Sequence, residues 1–163
     1  MKKLKIYLDT SVINFLFADD APDLKAATHE FFYNFIKVGI YDTYVSDFVL
    51  QEINKTKNDQ KKEQLIRVIE DYPIELLDLV QRNEIDVLAN AYLQNNVVPP
   101  NKIFDALHIA ASTVCKINYL ISWNYKHLAN INRERKVQAI NLANNYLDPI
   151  RICTPLELLD YGK

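Results

Sequence analysis

The chain alternates short apolar runs with longer stretches of helical period. Leu4-Lys5-Ile6-Tyr7-Leu8 is a strand-like run, over 4–8, that stops at Asp9. Thr10 or Ser11 is positioned to cap a short helix through Phe17. Residues 18–23 read as a loop, with Asp23 as cap of a helix over 23–38 whose broad apolar face carries Phe31, Phe32, Phe35, Ile36 and Val38 and which ends at Gly39. Residues 40–45 predict a second strand, and Ser46 caps the helix carrying Phe48, Val49, Leu50, Glu52 and Ile53. After the polar break 54–59, helical period runs over 60–71, and 74–77 form a short extended piece. Asp78 is the expected cap of a helix over 80–94, and a Pro-Pro loop leads to a buried helix over 103–115. A strand over 117–122, a helix over 133–146, a strand over 150–153 and a final helix over 155–160 complete the pattern. Strands alternating with helices predict an α/β fold with a largely parallel sheet. No linker or internal repeat divides the chain, so residues 1–163 read as one domain.

Composition narrows this little. Apolar residues make up 49% and charged residues 25%, the mix of a globular chain. No run approaches the roughly 18 apolar residues of a membrane span, and Asp9 interrupts the start too early for a signal peptide. Cys115 and Cys153 stand in apolar patterns without metal spacing, as free thiols of a cytoplasmic protein do. The net charge of −2 advertises no nucleic acid. Two basic clusters, Lys55, Lys57, Lys61, Lys62, Arg67 and Lys126, Arg133, Arg135, Lys136, read either as solvated helix faces or as a phosphate-tracking rim.

The chemistry starts at the strand ends. Parallel strands end on one edge, so Asp9 and Asn124 meet there, and Asp105, at a helix start, belongs to the same edge. Glu52 lies about two turns into its helix. Carboxylates that converge repel, and one takes up a proton unless a cation is bound. The ion suited to an all-oxygen site is Mg²⁺ or Mn²⁺, and the reaction class is metal-assisted phosphodiester hydrolysis. Each residue also has a plain reading. Asp9 can cap a helix, Glu52 can sit on a surface and Asp105 can complement a helix dipole. His108 can be a structural hydrogen-bonder beneath the site or a proton-transfer group. His127 is a loop residue or a phosphate contact, and Trp123 a packing or base-stacking residue.

Four stretches carry a resemblance. Tyr7-Leu8-Asp9-Thr10-Ser11, Ser46-Asp47-Phe48-Val49-Leu50-Gln51-Glu52-Ile53, Phe104-Asp105-Ala106-Leu107-His108-Ile109-Ala110-Ala111 and Leu120-Ile121-Ser122-Trp123-Asn124-Tyr125-Lys126-His127-Leu128 resemble, in order and separation, the PIN domain family of metal-dependent nucleases. The likeness is to the VapC-type ribonuclease toxins and their stand-alone relatives. It implies a three-layer α/β/α sandwich and an acidic pocket for Mg²⁺ or Mn²⁺ at Asp9, Glu52 and Asp105. It implies Ser11 as hydroxyl partner of the first carboxylate. It also implies an RNA substrate and, for a toxin, an antitoxin protein over the pocket. The family's fourth acidic position holds Asn124 here, which gives less charge to a second ion and favours a single one. The same substitution also suits a catalytically degenerate RNA- or protein-binding module. A phosphotransferase using Asp9 as nucleophile would resemble haloacid-dehalogenase-like enzymes, but Ser11 stands where their second Asp belongs. A C₂ homodimer is the default oligomer.

Overall fold

The computed structural model describes residues 2–161, so residues 1, 162 and 163 of the expected domain lie outside the described residues. Five parallel strands form one sheet in the order β3-β2-β1-β4-β5. They are β1 (Lys5–Leu8), β2 (Asp42–Val45), β3 (Ile74–Leu76), β4 (Tyr119–Ile121) and β5 (Arg151–Cys153). The helices are α1 (Thr10–Asn14), α2 (Pro22–Phe31), α3 (Asp47–Asn54), α4 (Asp59–Asp71), α5 (Arg82–Gln94), α6 (Ile103–Val114), α7 (Ile131–Ala143) and α8 (Pro155–Tyr161). A 3₁₀ turn over Phe15–Phe17 extends α1, and a π turn over Phe32–Ile36 extends α2.

β1 lies at the centre, with Ile6, Tyr7 and Leu8 inaccessible to solvent. Tyr7 pairs in register with Tyr44 of β2 on one side and Leu120 of β4 on the other. The chain steps from β1 to β2 to β3 in one direction, then returns across the sheet to β4 and β5. Right-handed crossovers therefore put the helices that precede β3 on one face and those that follow it, up to β5, on the other. Contacts within the groups agree: α1, α3 and α4 touch one another, and α5 packs on both α6 and α7. This is the expected three-layer α/β/α sandwich. The direction reverses between β1 and β4, which is where such sheets open a crevice beyond their carboxyl ends.

Several element starts differ from expectation. α1 is capped by Asp9, whose side chain accepts the Val12 N–H, and not by Thr10 or Ser11. α2 starts at Pro22 after an Ala21 cap, because proline at the first helical position has no N–H to satisfy, and Asp23 sits in the first turn. Asp78 does not cap α5, which begins at Arg82 after Gln81. α7 is shifted to Ile131–Ala143 because Asn130 caps it through the Arg133 N–H. Strand β2 begins two residues late, since Ile40 N–H is spent on the Phe35 carbonyl in the turn at Gly39, where φ is +75°. Ile117 is likewise held by the Ser112 carbonyl at the end of α6, so β4 starts at Tyr119.

One polar atom in the sheet is out of place. Thr43 is buried on β2, and its hydroxyl has no hydrogen-bond partner. Thr43→Val keeps the branched shape and removes that hydroxyl. It should stabilise the protein by about 1 kcal/mol in urea unfolding. No gain would mean that the hydroxyl is satisfied in solution.

Candidate functional site

The crevice at the reversal point is a cleft of about 260 Å³ lined by Asp9, Thr10, Ser11, Asn14, Glu52, Asp105, His108 and Asn124. All five residues singled out from the sequence, Asp9, Ser11, Glu52, Asp105 and Asn124, thus face one space, although they come from four separate parts of the chain. Asp9 follows β1, Glu52 lies in the last turns of α3, Asp105 opens α6 and Asn124 follows β4. The edges of the two central strands are tied together beneath them. Asp9 N–H bonds the Ile121 carbonyl at 3.1 Å, and Trp123 N–H bonds Ser11 Oγ at 3.0 Å.

Asp9 is 4% exposed and does two things at once. Its Oδ1 caps α1 and accepts the Ser11 hydroxyl at 2.5 Å. Burial pushes its carboxyl up to about 6, the Asp105 charge adds to the rise, and the hydroxyls of Ser11 and Ser122 oppose it. Asp105 is also pushed up, first by burial and then by the charge of Glu52, while Lys102 and Arg133 pull it back. Glu52 behaves differently. Burial would raise it, but the hydrogen bonds of His108 and Thr10, with Lys55 nearby, outweigh burial and hold it below the usual range.

The reason is a buried chain of hydrogen bonds that begins at β2. Ser46 Oγ meets the Tyr7 hydroxyl at 2.6 Å, Tyr7 meets His108 Nδ1 at 2.6 Å, and His108 Nε2 meets Glu52 Oε1 at 2.5 Å. Thr10 Oγ1 donates to the same Glu52 oxygen at 2.6 Å. A carboxylate only accepts, so Nε2 carries a hydrogen. Giving every hydroxyl hydrogen an acceptor then runs the chain from Ser46 to Tyr7 to His108 Nδ1. Glu52 is therefore fixed in place from below. His108 is 1% exposed and takes the structural role beneath the site. Thr10, Tyr7 and Ser46 were not singled out from the sequence as site residues. The signals they left were the placement of Tyr7 and Thr10 in the stretch around Asp9 and of Ser46 at the start of the stretch that carries Glu52.

Asn124 is turned partly to its own loop. Its Oδ1 accepts the His127 N–H at 3.2 Å, which fixes the oxygen end there and leaves the Nδ2 donor for the cleft. Trp123 packs rather than stacks on a substrate: it is 4% exposed, lies against Phe15 and donates to Thr28 Oγ1 at 2.8 Å. His127 is exposed. Of the two basic clusters, Lys55 and Arg133 reach the site carboxylates electrostatically, joined by Lys102, which belongs to neither. Arg67 is paired along α4 with Glu63, as a solvated face would be. Both cysteines are free thiols.

Among the described residues no group of three or more His, Cys, Asp or Glu is arranged to hold a metal ion as the side chains stand. The donor set nevertheless fits Mg²⁺ or Mn²⁺. It is all oxygen, and in a desolvated cleft the Asp105 charge raises the cost of ionising Asp9 while the Glu52 charge raises that of Asp105, which a cation would relieve. Mg²⁺ needs only one or two carboxylates and keeps waters in its other positions.

No protein-family model matches the chain, and no curated protein matches it. Among solved structures, it is similar to a chain in the crystal structure of VapBC2 from Rickettsia felis bound to a DNA fragment from their promoter, with a TM-score of 0.56. The two are 13% identical, and the likeness covers 93% of this chain and 98% of that one. At that identity the likeness concerns the fold, which is PIN-like. Among the described residues no helix is long and apolar enough to cross a membrane.

Proposed function

We propose that this protein is a metal-dependent endoribonuclease, the toxin of a toxin–antitoxin pair or a stand-alone relative. The observation that carries this reading is the convergence of Asp9, Glu52 and Asp105 in one cleft at the reversal point of a PIN-like sheet. These three would hold Mg²⁺ or Mn²⁺, which supplies, when bound, an acidified water and positive charge beside a phosphoryl oxygen. Ser11 keeps the Asp9 carboxylate aimed by its 2.5 Å bond, and the Asn124 amide offers a donor to a phosphate oxygen. Glu52, fixed by His108 and Thr10, orients its carboxylate without moving. Lys55, Lys102 and Arg133 surround this acidic floor with positive charge, which suits a substrate carrying a phosphate on either side of the scissile one.

The test is cleavage of a labelled single-stranded RNA. Wild-type protein should cut with Mn²⁺ or Mg²⁺ and stop in EDTA, and Asp105→Asn should lose more than about 100-fold in rate. Undiminished cleavage in EDTA would remove the ion from the mechanism.

The Asn124 geometry favours one second reading, a non-catalytic RNA- or protein-binding module. On that reading, binding survives both chelator and Asp105→Asn, and no RNA is cut. The likeness to a VapBC2 chain supports a further part of the proposal: a partner protein whose Arg or Lys enters the acidic cleft and silences it. We place the protein in the cytoplasm, as a C₂ homodimer.

A further inference from the structure

Just outside the cleft lining, on the two helices that carry Glu52 and Asp105, the Lys55 ammonium lies over the ring of Phe104, 4.3 Å from its centroid. Lys55 closes the carboxyl end of α3, three residues beyond Glu52, and Phe104 immediately precedes Asp105 at the start of α6. The pair therefore bridges the two helices that bring Glu52 and Asp105 face to face. Phe104 is half-buried and packs against the core, and the lysine over its ring is exposed. Ile103 beside it is 51% exposed, so the rim is apolar next to Phe104 and cationic at Lys55, Lys102 and Arg133. Packing α3 on α6 would need only an aliphatic side chain at this position. A flat aromatic face covered by an exposed cation is the pairing that single-stranded nucleic acid uses, a ring for a base and a charge for its phosphate.

We infer that Phe104 and Lys55 form a nucleobase platform beside the acidic cleft, which selects an unpaired base next to the scissile phosphate. This rests on the ribonuclease reading. With the site empty of substrate, Lys55 covers the ring. When a base arrives it takes the ring face, since base stacking outweighs an exposed cation–π contact, and the ammonium moves to the adjacent phosphate. A base held in a duplex cannot offer its face, so the platform discriminates by strandedness and tolerates sequence.

The experiment measures binding without cleavage, using Asp9→Asn protein and a fluorescein-labelled 12-nucleotide RNA, single-stranded or annealed to its complement. Adding Phe104→Leu should weaken single-strand binding about 10-fold and leave duplex binding unchanged. Adding Phe104→Tyr, which keeps the ring, should stay within about 2-fold of the parent. Adding Lys55→Met should weaken both RNAs and flatten the salt dependence. Equal single-strand affinity for the parent and Phe104→Leu overturns the platform. Failure of the parent to bind either RNA strikes the ribonuclease reading itself, a different result. Should Phe104→Leu not fold, photocrosslinking of a 4-thiouridine RNA to protein with an intact ring decides. The crosslink should fall in the tryptic peptide 103–116, and crosslinks lying only elsewhere overturn the platform.

Discussion

Asp9→Asn is expected to make the ion-free protein more stable while abolishing its cleavage of RNA. The buried Asp9 carboxyl is pushed up to about 6 from an ordinary 3.8. Between those values the folded protein binds more protons than the unfolded chain, so stability falls as pH rises from about 4 to 6. Above pH 6 the ionised, buried carboxylate carries a penalty on the order of 3 kcal/mol. Asparagine has no such charge. It is an equally good helix cap, and its oxygen can still accept the Val12 N–H and the Ser11 hydroxyl. In EDTA at pH 7.5 the variant should melt roughly 5 °C or more above wild type. The difference should shrink below pH 6 and vanish near pH 4. Mn²⁺ should raise the melting temperature of wild type and leave the variant unmoved. A variant that melts lower than wild type in EDTA at pH 7.5 would show that Asp9 is structural first. Activity and stability pull in opposite directions at this residue.

His108→Ala should have the opposite signature, losing stability and activity together. Removing the imidazole leaves the Tyr7 hydroxyl without its acceptor in a fully buried site and opens a cavity beneath the cleft. The expected loss is about 2–4 kcal/mol in urea unfolding. Glu52 also loses the donor that holds its carboxyl low. A group held low in the folded state stabilises it above the unfolded pKa, and that contribution disappears as pH falls through the folded one. In the variant this acid-side loss should therefore weaken, so wild type and variant draw together at low pH. Tyr7→Phe isolates the far end of the same chain. It keeps the ring, removes the hydroxyl and should cost less than His108→Ala. A His108→Ala protein as stable as wild type would show that Glu52 needs no support from below.

The parts of the site legible in the sequence were those that lie where the chain changes direction. Asp9 and Asn124 each follow an apolar run, and Asp105 opens the one helix whose small alanines mark it as buried. Glu52 was legible through the resemblance rather than the pattern, since a glutamate two turns into a helix is an ordinary surface residue. The supporting chain was not legible. Tyr7 looked like one more apolar strand residue, because nothing in a period of two shows that its hydroxyl finds Ser46 and His108 across the sheet. Thr10 was read as a helix cap, and the cap belonged to its neighbour, which freed the Thr10 hydroxyl for Glu52. Neighbouring polar residues that can all accept an N–H cannot be ranked without backbone angles, while the start of α2 was misplaced because Pro22 opens the helix after a cap, Ala21, that has no side-chain acceptor. Lys102 was passed over because it stands outside both clusters, and only the fold brings it beside Asp105. The parallel α/β class followed from alternation and the three layers from the resemblance, the strand order came only with the structure, and strand ends were overextended wherever a helix or turn had already taken the N–H.

The placement of β1 in the middle of the sheet has a consequence during synthesis. Its first neighbour, β2, emerges from the ribosome soon after it, but its second, β4, is made more than a hundred residues later. At ordinary translation speeds the central strand waits on the order of ten seconds with one edge uncovered. Over that interval Asp9 exists without Asp105 or Asn124. A growing chain of this protein therefore has no assembled acidic cleft until both Asp105 and the strand that carries Asn124 have been made.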